Sequence, residues 1–202
     1  MDFFFNFNLV TFIKAAGYLG IFGVVFAESG LLFGFFLPGD SLLFTAGFLA
    51  SEGYFNVLFL LTLCFLGAIL GDSFGYAFGK KTGEKLFAAE DSLIFKKAHL
   101  ERARIFYEAH GGKTIMLARF MPIVRTFVPI VAGVGMMKYR DFLFYNIIGG
   151  ALWTVSLLLT GYFLGSVIPG IDTYIIPIVA LIITISMLPP VIHVLKERRA
   201  GK

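Results

Sequence analysis

Two arginines lie within an otherwise apolar stretch of the chain, residues 117–135. This stretch contains Arg119 and Arg125, together with Pro122 and Pro129. A guanidinium group at membrane depth costs roughly 2.5–3.5 kcal/mol on insertion scales, and a proline interrupts a helix. Arginine also has a planar fork that suits bidentate binding of a phosphate. We therefore predict a broken, re-entrant membrane segment, with Pro122 and Pro129 as its breakers, that presents two cations to an anion.

The composition is that of a membrane protein with several crossings. The chain has 202 residues, of which 58% are hydrophobic and 15% charged, and its mean hydropathy is +0.85. At about 20 residues per crossing, these values predict a single all-α polytopic membrane domain over 1–202, with about four spans and two re-entrant hairpins. Cys64 is isolated and the histidines are scattered, so we predict no metal and no cofactor.

A second broken apolar segment precedes the first in the chain. Residues 28–50 are largely apolar and contain two charged residues, Glu28 at the start and Asp40 directly after Pro38-Gly39. Proline removes a backbone donor and glycine admits positive φ, so this pair predicts a turn at membrane depth. Non-helical backbone at that depth must be buried in protein or line a wet cavity. We expect a second re-entrant hairpin here.

The apolar segment at 9–26 can cross the membrane. Three longer apolar segments can cross it as well. They are residues 55–78, 142–164 and 171–195. Glycines at four-residue spacing over 67–79 form a flat face for helix packing, either within the monomer or across a homodimer. Asp72 lies beside that face, and an intramembrane carboxylate is a candidate functional residue.

The chain resembles itself at an offset of 86 residues. This offset aligns Ala46-Gly47 with Ala132-Gly133, and it aligns G-Y-A-F-G at 75–79 with G-Y-F-L-G at 161–165. We interpret this as a repeat over about 28–80 and again over about 113–166, followed by the span at 171–195. One hairpin and one span reverse the sidedness of the next segment, so the repeat is predicted to be inverted.

The charges agree with that topology. Residues 80–113 are basic on balance and are predicted to include an amphipathic segment at about 84–112, whereas 28–54 and 166–174 contain no lysine or arginine. The positive-inside rule then places 80–113 and both termini in the cytoplasm. We expect the basic stretch to face lipid headgroups, and we expect no nucleic-acid partner.

Hairpins entering from opposite faces would bring acids and bases together near the midplane. Glu28 and Asp40 belong to the outer hairpin, and Arg119 and Arg125 to the inner one. The simplest alternative is that they form buried salt bridges that hold the hairpins together. In the functional interpretation, the arginines bind phosphate, and acids removed from water exchange protons.

Four ordered motifs resemble the DedA family, whose shared region is also called the VTT or SNARE-associated domain. The motifs are E-S-G-L-L-F-G-F-F-L-P-G-D at 28–40, G-D-S-F-G-Y-A-F-G-K at 71–80, R-F-M-P-I-V-R-T-F-V-P-I-V-A-G at 119–133 and N-I-I-G-G-A-L-W at 146–153. The resemblance implies an inverted-repeat fold in the bacterial cytoplasmic membrane. It also implies that Glu28, Asp40, Arg119 and Arg125 are essential. The same motifs supply supporting residues, which are Asp72, Tyr76, Asn146 and Trp153.

The activity implied by the resemblance is lipid translocation. Bacterial members resemble flippases that return undecaprenyl phosphate across the membrane, and the proton-motive force is implicated in several of them. Other members are associated with phospholipids such as phosphatidylethanolamine. The partners are then membrane lipids and protons. A proton-coupled ion transporter and a purely structural scaffold remain alternatives. An enzyme is not expected, because no nucleophile or metal-ligand cluster accompanies the arginines.

Overall fold

The computed structural model describes residues 9–88 and 112–167, and this part of the chain is helical without any β-strand. The predicted cytoplasmic segment at about 84–112 lies mostly outside the described residues. Both termini and the predicted C-terminal span lie wholly outside them. The described helices are α1 (Leu9–Gly30), α2 (Gly39–Ser51), α3 (Val57–Ala88), α4 (Lys113–Ala118), α5 (Pro122–Val134) and α6 (Tyr139–Val167), with a 3₁₀ turn at Gly34–Phe36.

Three of these helices are long and apolar enough to cross a membrane. They are Leu9–Gly30, Val57–Gly83 and Tyr139–Val167. This finding confirms the prediction of a polytopic membrane protein that is helical in its described residues, and the three ranges overlap the apolar segments predicted at 9–26, 55–78 and 142–164. Side chains such as Leu19, Leu58 and Phe163 project from these helices, as expected where the surroundings are lipid.

The two predicted chain breaks differ in what their prolines do. Pro38 directly precedes α2, and Pro122 is the first residue of α5. The first position of a helix tolerates proline, since an N–H group there would have no helical partner. Pro129, by contrast, lies inside α5, so the prediction that it breaks the helix is wrong. A helix can continue through proline when neighbouring groups compensate, and α5 is closely packed around residue 129.

The contacts divide the chain into two compact units. The first unit comprises Met1–Val25, Leu37–Gly67 and Trp153–Lys202, and the second comprises Phe26–Phe36 and Ala68–Leu152. Each unit contains parts of both predicted repeats, so the contact units do not follow the repeat boundaries. The duplication itself stays a prediction.

In the first unit, α2 packs closely against the last part of α6. A Cβ atom added at Gly47 would lie 2.0 Å from the Leu158 carbonyl oxygen, and one at Gly161 would lie 2.0 Å from that of Phe44. Such distances leave no room for a side chain. Near the start of α3, the Asn56 N–H donates to the Tyr18 hydroxyl at 2.7 Å. Lys14 Nζ lies 3.7 Å from the centre of the Tyr54 ring.

In the second unit, α5 packs against the last part of α3 in a similar way. A Cβ atom added at Gly79 would lie 2.0 Å from the Ile130 carbonyl oxygen, and one at Gly133 would lie 2.1 Å from that of Tyr76. Gly71 lies against the end of α1 near Gly30. The predicted glycine face therefore packs within the monomer. It allows three helices of this unit to approach at backbone distance.

Candidate functional site

The first charged contact of the second unit joins α1 to α5. Arg125 Nε lies 2.6 Å, and its terminal nitrogen 2.5 Å, from Oε1 of Glu28. The side chains are 6% and 1% exposed, so the pair is shielded by protein. The Ser29 hydroxyl donates to the other carboxylate oxygen of Glu28 at 3.4 Å. The structure thus pairs one predicted acid with one predicted arginine.

Each charge of this pair lies at the unfavourable end of its own helix. Glu28 is in the last turn of α1, where the carbonyl ends give the helix partial negative charge. Arg125 is the fourth residue of α5, near the partially positive N-terminus. Neither helix dipole stabilises the charge of its own side chain. The attraction between Glu28 and Arg125 offsets both of these unfavourable interactions. An anion that replaced Glu28 would gain from Arg125 and from the helix end together.

The second charged contact holds Arg119 between α3 and α6. One terminal nitrogen of Arg119 donates to Asp72 Oδ2 at 2.5 Å, to Asn146 Oδ1 at 2.5 Å and to the Ala68 carbonyl at 3.4 Å. The Asn146 amide nitrogen donates to the carbonyl of Ile69 at 3.3 Å, which orients its oxygen toward Arg119. Arg119, Asp72 and Asn146 are all buried. Two of the predicted supporting residues therefore contact a predicted arginine.

The two ion pairs are close enough to interact electrostatically. Asp72 and Arg119 each experience the charges of both Glu28 and Arg125. The cluster contains two cations and two anions, so its formal charge is zero. Neutrality matters here because an uncompensated charge removed from water is costly. A further charge could enter this cluster only if the charge of another group in the cluster changed to compensate for it.

Asp40 and Trp153 meet in the first unit. The Trp153 indole N–H donates to Asp40 Oδ1 at 2.8 Å. Asp40 is half-buried and lies in the first turn of α2, where the helix N-terminus favours a carboxylate. Trp153 is almost fully buried. This hydrogen bond explains physically what Asp40 and Trp153 do for each other, although they belong to separate sequence motifs.

Tyr76, the remaining supporting residue, serves the packing of the second unit. Its ring stacks on Phe142 with centroids 4.6 Å apart, and its hydroxyl donates to the carbonyl of Met137. Met137 belongs to the turn after α5, where Met136 has a φ of 56°. Tyr76 therefore secures the end of α5 and lies in the apolar core of this unit, with Ile115 and Ala132.

Some contributors to the cluster escape sequence inspection. The carbonyl oxygens of Ala68 and Ile69 accept hydrogen bonds from Arg119 and Asn146, but every residue has a carbonyl, so no pattern reveals them. Ser29 could have been suspected because it follows Glu28 directly. Within the described ranges, no group of His, Cys, Asp or Glu could hold a metal ion.

A helical membrane protein with buried ion pairs beside helix ends is the class that this fold and site define. Residues 37–163 match the VTT domain family. The chain is 47% identical over 186 residues to Protein DedA of Escherichia coli, covering 91% of this chain and 84% of that one. It is 45% identical over 185 residues to an uncharacterized membrane protein of Mycobacterium tuberculosis, covering 91% and 81%.

A more distant relative is the inner membrane protein YqjA of Escherichia coli. It is 34% identical over 149 residues, which cover 73% of this chain and 67% of that one. No solved structure matches the chain. On the domain match and these identities, the chain belongs to the DedA family of VTT-domain membrane proteins, as its motifs predict.

Proposed function

We propose that this protein moves a phosphate-bearing lipid, undecaprenyl phosphate, across the bacterial inner membrane in a proton-coupled step. The observation that carries the proposal is the buried pair of Arg125 with Glu28, in which each charge opposes the dipole of its own helix. A phosphate that displaced the carboxylate would meet a guanidinium fork and a helix N-terminus, which are both favourable for an anion. The inner-membrane location is supported by the relative YqjA, which is an inner membrane protein of Escherichia coli.

Proton coupling follows from charge balance in this mechanism. When phosphate takes Arg125, the Glu28 carboxylate loses the guanidinium while its side chain is only 1% exposed. A buried anion without a compensating cation is costly, so the carboxylate takes up a proton. The proton offsets one negative charge of the bound phosphate, and its release on the other side would let Glu28 recapture Arg125. Asp40, bonded by Trp153, is the second proposed proton-carrying acid.

Two short helices support the proposal of re-entrant hairpins. At 1.5 Å per residue, the 13-residue helices α2 and α5 are each about 20 Å long, less than the roughly 30 Å of a bilayer core. α1 is long enough to cross, but non-helical backbone at Gly17 interrupts it. The close glycines Gly47 and Gly133, which align at the 86-residue offset, support the duplication.

Contacts along α1 suggest that it is one arm of the first hairpin. Its early residues Lys14 and Tyr18 contact Tyr54 and Asn56, just before α3 begins. Its last residue, Gly30, lies against Gly71, near the middle of α3. We therefore infer that α1 ends at mid-membrane and that the chain returns through α2. Lys14 then lies on the same membrane face as residue 52, whereas the positive-inside rule places the N-terminus in the cytoplasm, on the side opposite the outer hairpin.

Cysteine labelling tests this topology. In a Cys64→Ala background, Lys14→Cys and Glu52→Cys should react with a membrane-impermeant maleimide from the same face, and Lys81→Cys from the opposite face. All three native side chains are exposed, and the continuous α3 separates Glu52 from Lys81. Reaction of Lys14→Cys and Glu52→Cys from opposite faces would instead mean that α1 crosses the membrane.

Reconstituted vesicles test the transport activity itself. Vesicles with the protein should accelerate the crossing of fluorescent polyprenyl phosphate, and a proton gradient should increase the rate further. The matched control is the polyprenyl alcohol with the same tail, which should cross no faster than in protein-free vesicles. Equal movement of phosphatidylethanolamine would favour a phospholipid scramblase. Ion flux without lipid movement would favour an ion transporter, and no acceleration of any lipid would refute the proposal.

A further inference from the structure

Two hydroxyl groups are buried in the first half of α2, in the first unit. Ser41 is 1% exposed and Thr45 is fully buried, and neither Ser41 Oγ nor Thr45 Oγ1 has a hydrogen-bond partner among the described residues. The two residues are one helical turn apart, so their side chains lie on the same side of α2. A buried hydroxyl without a partner is costly. Two of them on one side of a helix therefore indicate a polar ligand there.

The N-terminus of α2 narrows the choice of ligand. The first N–H groups of a helix have no partner within it, and the residue before α2, Pro38, makes no side-chain hydrogen bond to them. The partial positive charge of a helix N-terminus disfavours a cation. Water both donates and accepts, so it can bond the hydroxyls as well as the N–H groups. Water is therefore the ligand that fits this end of α2.

Asp40 directly precedes Ser41, and the other charged side chains in the described ranges of the first unit are Lys14 and Glu52. Both of these are exposed. Glu52 lies at the opposite end of α2, which is about 20 Å long, and Lys14 contacts the ring of Tyr54 beyond that end. The remaining titratable groups of this part of the unit are neutral near pH 7, namely Tyr18, Tyr54, Cys64 and Tyr162. Within this unit, a proton must therefore reach Asp40 through neutral groups.

We propose that Ser41 and Thr45 hold water molecules that carry protons to and from Asp40. This inference rests on the proposed function, in which Asp40 is a proton-carrying acid. Each water or hydroxyl along the path accepts a proton on its oxygen and gives up one of its own, so the hydroxyls stay neutral. The last step forms an O–H bond on the Asp40 carboxylate, and proton release runs through the same steps in reverse.

Trp153 provides a readout of this proton transfer that does not depend on lipid transport. It is the only tryptophan of the chain, and its indole N–H donates to Asp40. A hydrogen bond to a carboxylate is stronger than one to a neutral acid, so an acidifying pH jump should change the fluorescence of Trp153 in the purified protein. The change should disappear in Asp40→Asn. A wild-type protein without any response would overturn the proposal, because Asp40 would then take up no proton.

Removing both hydroxyls tests the path. Ser41→Ala/Thr45→Val should slow the fluorescence response at least about 10-fold, the equivalent of one hydrogen bond lost from the path. It should also remove the part of lipid transport that a proton gradient adds. The matched control is Ser51→Ala on the same helix, because the Ser51 hydroxyl already donates to the Phe48 carbonyl at 2.6 Å. This control should respond at the wild-type rate. If the double variant does not fold, Thr45→Val should be slow while Thr45→Ser, which keeps the hydroxyl, should not.

The rate of the fluorescence response decides the outcome. A wild-type rate in Ser41→Ala/Thr45→Val, or an equal slowing in Ser51→Ala, would refute the proton path. A response that follows the Na⁺ concentration instead of pH would refute it as well, since the hydroxyls would then bind a cation. If the double variant is slow but wild type moves no polyprenyl phosphate, the path stands and the proposed function fails. If wild-type transport is proton-driven and the double variant keeps its rate, only the path fails.

Discussion

Replacing Arg125 with alanine is expected to abolish lipid-phosphate transport, with a loss of at least about 100-fold. The substitution removes the proposed phosphate ligand and leaves Glu28 buried without its guanidinium partner. Breaking a buried ion pair costs about 3–5 kcal/mol of folding free energy. Transport should be measured in vesicles, and thermal unfolding in detergent should be measured in parallel, so that lost activity is not confused with lost folding.

Glu28→Gln is the informative companion substitution. Glutamine keeps the shape of a protonated glutamate but carries no charge, so Arg125 no longer faces a competing carboxylate. We expect this variant to bind polyprenyl phosphate more tightly than wild type. Its transport rate should respond less to a proton gradient than that of wild type, because Asp40 is the one proposed proton-carrying acid that this variant keeps. A gradient response equal to that of wild type would show that the coupling proton resides elsewhere.

A charge exchange distinguishes a transport site from a simple salt bridge. Glu28→Arg with Arg125→Glu keeps both charges, and it moves each to the helix end that favours its sign. This variant should fold at least as well as either single variant, yet it should not transport. If transport returned to the wild-type level, the pair would be a structural link between α1 and α5 and no more.

Replacing Gly79 with valine is expected to disrupt the second unit. Even a Cβ atom at this position would lie 2.0 Å from the Ile130 carbonyl oxygen, which belongs to the backbone of α5 and cannot rotate away. The two helices would have to separate, at a cost of about 3 kcal/mol or more. Because α5 also carries Arg125, transport should fall together with stability. Thermal unfolding and the monodisperse fraction in detergent measure the effect.

Gly23→Ala provides the matched control. It changes another helical glycine of a membrane segment, but a Cβ atom there would meet nothing within 4 Å. Alanine favours helix over glycine by about 1 kcal/mol, so this variant should be as stable as wild type or slightly more so. If Gly79→Val unfolded at the same temperature as Gly23→Ala, close approach of α3 and α5 would not hold the second unit together.

The long apolar helices and the starts of α2 and α5 could be predicted from the sequence. Long apolar runs specify membrane helices, since a bilayer core satisfies no backbone hydrogen bonds. Pro38 and Pro122 mark where α2 and α5 begin, because the ring of proline and its missing N–H act within one helical turn. Pro129 has the same chemistry, and yet α5 runs through it. Local chemistry alone could not distinguish these cases, because the packing around α5 decides whether the helix continues.

The chemical types of the candidate site could also be predicted. Glu28, Asp40, Arg119 and Arg125 stand out because ionised groups in apolar segments are too costly to occur without a reason. The motifs around them identify the family as well. Neither the charged residues nor the family requires knowledge of which helices are in contact.

Only the tertiary structure decided the pairing of these charges. Arg125 meets Glu28 across 97 positions of sequence, Arg119 meets Asp72 across 47, and Trp153 meets Asp40 across 113. Any of the acids could have paired with either arginine, because opposite charges attract without regard to their place in the chain. The choice depends on close helix contacts, such as those at Gly71 and Gly79, which set the depth and rotation of each helix. The sequence by itself therefore determined the buried charges, and packing determined their partners.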